Sequence, residues 1–130
     1  MHNSIRAKIL TVTNEHGWGV SLQLVASGQY KPYYTGSYYF PKTANGSATR
    51  SIYKTIDRAC ELLPKGCDVV FEGTHPTFVH QKHILTKYIK KVIGEEENIL
   101  IFHHRKLYGL GVLLAEEALL RRTNLEREVQ

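Results

Sequence analysis

Cys67-Asp68-Val69-Val70-Phe71-Glu72-Gly73 is a short run with a continuous apolar centre, the pattern of a central strand with both faces covered. The segments on either side of it in the sequence read as helices. Upstream, Ser47 or Thr49 can cap a helix of about 49–63 whose apolar residues fall at Ile52, Ile56, Ala59, Cys60 and Leu63, one stripe ended by Pro64-Lys65-Gly66. Downstream, a second helix runs from about Pro76 to Ile93 and stops at Gly94, with Phe78, Leu85, Tyr88, Ile89, Val92 and Ile93 on one arc.

Working outward, residues 5–13 place Ile5, Ala7 and Ile9 on one face and Arg6 and Lys8 on the other, which is strand alternation. Asn14-Glu15-His16-Gly17 turns the chain. Trp18, Val20, Leu22 and Leu24 then alternate with Gly19, Ser21, Gln23 and Val25 in a second strand that ends at Ser27-Gly28-Gln29. A tyrosine-rich third strand covers roughly 30–40, with Pro32 arguing for an edge position or a late start. These three form an antiparallel meander, and the Val69–Phe71 strand is expected beside the first, parallel to it. Asn98–Phe102 makes the last strand. A final helix of about Leu107 to Arg122 precedes a charged, frayed tail at 123–130.

Composition narrows the class. At 130 residues and 42% hydrophobic content the chain can bury one core, so 1–130 is read as a single domain with its core at about 5–122. No apolar run approaches the roughly 20 residues that span a bilayer, and no signal-peptide core follows Met1, so a cytoplasmic protein without a membrane role is expected. Cys60 and Cys67 are too few and too close for a secreted scaffold and are read as reduced and packed. Asn45-Gly46-Ser47 is read as loop. Residues 1–65 hold eight Lys/Arg against three Asp/Glu and residues 66–130 nine against nine, so the net charge of +5 sits in the first half. A pI near 9.2 permits nucleic-acid contact without requiring it.

Strand, strand, strand, helix, strand, helix, strand, helix, with the Gly17-Trp18-Gly19-Val20 start, the Ala59-Cys60-Glu61-Leu62-Leu63 helix end and the closing Leu113-Leu114-Ala115-Glu116-Glu117-Ala118, resembles the ribonuclease H-like family across residues 5–122. The resemblance implies an α/β fold, a five-stranded mixed sheet with helices packed on it. It also implies four catalytic carboxylates, which would fall near Val12, Ile52, Thr74 and Val112. None of the four is acidic, and no Asp or Glu lies within two positions of Val12 or Ile52. Asp57 and Asp68 are the only aspartates in the chain. Two-metal phosphodiester chemistry needs several converging acidic oxygens to offset the dehydration of Mg²⁺. The resemblance therefore implies a degenerate member without catalysis or cofactor.

Three side-chain groups are candidates for function. Glu72, His75 and His104 can be imagined holding a metal at the strand ends, although zinc needs three or four convergent ligands and no HExxH or Cys/His array is present. His80, His83, Lys87, Lys90 and Lys91 form a basic ridge on the second helix, with no acid between Gly73 and Gly94; such residues also simply solvate an outward face. Glu95-Glu96-Glu97 should bound any phosphate footprint. Tyr34 and Tyr38, with Lys42 and Arg50 in the following loop, combine stacking planes with cations, which suits RNA, DNA or a hybrid and equally suits a protein interface. Three function classes stay open: a nucleic-acid-binding module, a protein-interaction or self-association module, and a divalent-metal nuclease with ligands rebuilt around Glu72.

Overall fold

A computed structural model describes residues 4–44, 46–94, 98–106 and 109–129. Six strands form one mixed sheet: β1 (Ser4–Thr13), β2 (Gly17–Ala26), β3 (Tyr34–Pro41), β4 (Asp68–Gly73), β5 (Ile99–His103) and β6 (Leu125–Glu128). Their spatial order is β5-β4-β1-β2-β3-β6. β1, β2 and β3 make the antiparallel meander, and β4 lies parallel to β1 with Ile5 opposite Val69 and Ala7 opposite Phe71. β5 continues parallel beyond β4, so the apolar run at 69–71 is interior to the sheet, although Val70, on the face opposite Val69 and Phe71, is half-buried rather than covered as expected.

One face of the sheet carries Ile5, Ala7, Ile9, Val20, Leu22, Leu24, Val69, Phe71, Ile99 and Ile101 into a single buried cluster. It is covered by α1 (Ala48–Leu62) and α3 (Lys82–Ile93), which contribute Ile52, Ile56, Ala59, Leu85 and Ile89. Ser47 caps α1, its Oγ accepting from the Arg50 amide at 3.0 Å. The opposite face is covered over β1, β2 and β3 by α4 (Leu110–Arg121). This approach is very close: a Cβ added at Gly19 would lie 2.0 Å from the Ala115 carbonyl oxygen. α4 buries Gly111, Ala115, Ala118 and Leu119 and turns Leu110, Leu113 and Leu120 outward. On the β5 part of this face, Leu100 and Phe102 are also exposed.

Four boundaries differ from the sequence expectation. The sheet has six strands rather than five, because residues 125–128, expected to be frayed tail, pair with β3 from Tyr34 to Ser37. Arg122 in the left-handed region (φ 56°) turns the chain out of α4 toward this pairing. The Glu126 carboxylate then accepts from Tyr34 Oη, Tyr38 Oη (3.2 Å) and Arg58 Nε (2.8 Å), which anchors the strand by contacts invisible in local pattern. The expected continuous helix 76–93 is instead a short α2 (Thr77–His80) and α3, broken at Gln81 (φ −116°, ψ 25°), whose side-chain oxygen accepts from Tyr53 Oη at 3.0 Å. β3 begins at Tyr34, the late start that Pro32 allowed, and α4 begins at Leu110. Leu107, the expected helix start, Asn45 and Glu95-Glu96-Glu97 lie outside the described residues. Among the described residues no helix is long and apolar enough to cross a membrane.

Candidate nucleic-acid interface

β1 and β4 are parallel, so their carboxyl ends lie at the same end of the sheet, and the segment after β5 returns there. Val12 near the end of β1, Thr74 just after β4 and Val112 in the first turn of α4 line one depression of about 340 Å³. Three of the four positions expected to be acidic thus converge. The fourth does not: Ile52 is fully buried on the inner side of α1, against the other face of the sheet. Arg105 and Lys106, exposed at the rim, complete the lining with Leu10 and Thr11. Aliphatic chains, threonine hydroxyls and two cations do not fit a pair of Mg²⁺ ions, which take carboxylate oxygen and water. They fit an anion better.

Glu72 is adjacent but committed elsewhere. Its carboxylate accepts from Arg6 Nε at 2.7 Å and Arg6 Nη2 at 3.3 Å, and lies 2.6 Å from His104 Nε2. Burial by itself would raise its pKa; the hydrogen bonds and charges of Arg6 and His104 outweigh this and hold it below the usual range. The imagined Glu72, His75 and His104 metal set is corrected here, since His75 is turned to Thr77, accepting its amide at Nδ1 (3.1 Å) and lying 2.8 Å from its hydroxyl. Burial lowers the His75 pKa, consistent with a neutral, accepting ring. No group of three or more His, Cys, Asp or Glu converges among the described residues. Cys60 and Cys67 are buried thiols, Cys67 Sγ donating to the Pro64 carbonyl at 3.2 Å, and burial pushes the Cys60 thiol up to about 12.

The basic ridge is divided by the helix break. His80 ends α2, while His83, Lys87 and Lys91 are exposed on α3 and Lys90 is half-buried. α3 lies beside α1, held by an edge-to-face contact of Tyr53 and Tyr88 (5.1 Å between centroids) and by Tyr88 Oη donating to Asp57. Arg50, in the first turn of α1, and Lys42, in the loop before it, are also exposed. Tyr34 and Tyr38 do not join them. Both rings are core, 7% and 5% exposed, because β3 faces them toward α1 and β6 covers its outer edge. They are not available to stack on a base.

The structure adds residues that pattern reading passes over. Lys54 stands one helical turn after Arg50, and both line a second depression with Trp18 and Phe40. The spacing of Arg50 and Lys54 was visible in sequence; their meeting with Trp18 was not, since it depends on where α1 lands on the sheet. Arg105 and Lys106 had a signal as an adjacent basic pair after the last strand. Compared with models of known families and with curated proteins, the sequence matches none.

Proposed function

We propose that the chain is a ribonuclease H-like module that binds nucleic acid without cleaving it. The observation that carries this reading is the depression at the β1 and β4 ends, where Val12, Thr74 and Val112 meet Arg105 and Lys106 and offer no carboxylate. The antiparallel meander and the parallel β4 beside β1 support the family part of the reading. The cations of α1 and α3 support the binding part, since phosphate neutralisation supplies most sequence-independent affinity. A gel shift over increasing salt, with single-stranded, duplex and RNA–DNA hybrid oligonucleotides, tests binding. The expected result is affinity that falls steeply with salt and no cleavage with Mg²⁺ or Mn²⁺. Divalent-dependent cleavage that disappears on Glu72→Gln would overturn the reading in favour of a nuclease with rebuilt ligands.

A protein-interaction module is the second reading, favoured by the outward Leu110, Leu113 and Leu120 of α4 and by Leu100 and Phe102 on the same side of the sheet. Absence of oligonucleotide binding even at low salt, with concentration-dependent mass in sedimentation, would put it first.

A further inference from the structure

Trp18 and Phe40 lie opposite each other at the paired ends of β2 and β3, both half-buried, and their side chains line a depression of about 210 Å³ with Arg50 and Lys54. Neither ring is paired with another aromatic: among the described residues the one ring–ring contact is Tyr53 with Tyr88. The cations are equally unengaged, for no ion pair among the described residues includes Arg50 or Lys54. The first turn of α1 carries no acidic residue. Two rings without an aromatic partner and two cations without an ion pair thus line the same concavity.

We infer that this depression is a subsite for one unpaired nucleotide, whose base stacks on Trp18 and Phe40 while its phosphates meet Arg50 and Lys54. Stacking planes accept any base, and cations one helical turn apart can follow a backbone. A base held within a duplex is stacked on its neighbours and cannot enter a recess between a sheet end and a helix. The subsite therefore selects single strands, overhangs or frayed ends. This inference rests on the nucleic-acid reading above and specifies the strand state that reading leaves open.

Trp18 is the only tryptophan in the chain, so its emission reports on this recess alone. The test titrates the full chain at low salt with labelled oligodeoxythymidylate and with a blunt duplex of equal length, following oligonucleotide anisotropy and tryptophan emission together. Single strand is expected to bind and quench Trp18, and the blunt duplex to leave emission unchanged. Trp18→Ala should weaken single-strand binding by about 5- to 150-fold, the range for removal of one base–aromatic stack. Arg50→Ala with Lys54→Ala, both exposed and safe for folding, should lower the single-strand salt slope by up to about 0.7 for each phosphate no longer neutralised. Single-strand binding with unchanged emission and an unchanged double variant would overturn the subsite while leaving the broader reading intact. Equal quenching by blunt duplex would overturn the choice of unpaired strands. Failure of every oligonucleotide to bind would remove both.

Discussion

Among the described residues, Glu72 is the one charged side chain that is buried, 5% exposed, and its environment sets a pH dependence. Because Arg6 and His104 hold its folded-state pKa below the ordinary value of 4.5, the carboxylate stabilises the fold fully above about pH 4.5. That contribution disappears as pH falls through the lower folded-state value. Glu72→Gln, which keeps the shape and removes the charge, is expected to cost about 1–2 kcal/mol near neutrality, a charged hydrogen bond discounted because the Arg6 side chain is 44% exposed. In urea unfolding, the gap between wild type and variant should close on acidification below pH 4.5; a gap independent of pH would show that the carboxylate's charge is not what stabilises.

At the scale of elements, α4 docks by absence of side chain. Gly19 admits the Ala115 backbone, and a Cβ on Gly111 would lie 2.9 Å from Gln23 Nε2, so helix and sheet meet at near-backbone distance. Gly19→Ala places a methyl where only backbone could yield, and overpacking of this kind costs about 1–3 kcal/mol. Thermal unfolding should show a lowered midpoint; an unchanged one would mean that α4 shifts freely on the sheet. The same stripe explains why Leu110, Leu113 and Leu120 point outward: the inward side of α4 is already occupied by Gly111, Ala115, Ala118 and Leu119. β6 is held differently, by the convergence of Tyr34, Tyr38 and Arg58 on Glu126.

Across the whole molecule, α1 and α3 expose Arg50, Lys54, Lys87 and Lys91, and Arg105 and Lys106 line the depression at the β1 and β4 ends, while Glu72 and Asp57 are tied to internal partners. If phosphates meet the α3 ridge, each lysine–phosphate pairing abolished should lower the slope of log K against log salt by about 0.7 to 0.9. Replacing Lys87, Lys90 and Lys91 by Ala should therefore flatten it by roughly two to three, with affinity falling alike for all base sequences because phosphate contacts position without reading bases. A slope unchanged in this triple variant would assign the ridge to solvent.

The sequence by itself determined the elements whose residues alternate or recur with one period: β1, β2, the interior β4 and the one-sided α1, all set by apolar spacing along a few consecutive residues. It also determined that the Val12, Thr74 and Val112 positions carry no acid, since that is a matter of residue identity alone. Tertiary structure decided whatever depends on contacts between distant segments. Leu125–Glu128 became a strand because Glu126 meets groups 68 to 92 positions away, which no local pattern records. Tyr34 and Tyr38 passed from candidate stacking surface to core because alternation says only that they share a face, and the packing of α1 and β6 chose which. Trp18 came to share a recess with Arg50 and Lys54 because the sheet end and the helix start are brought together only by the closed core.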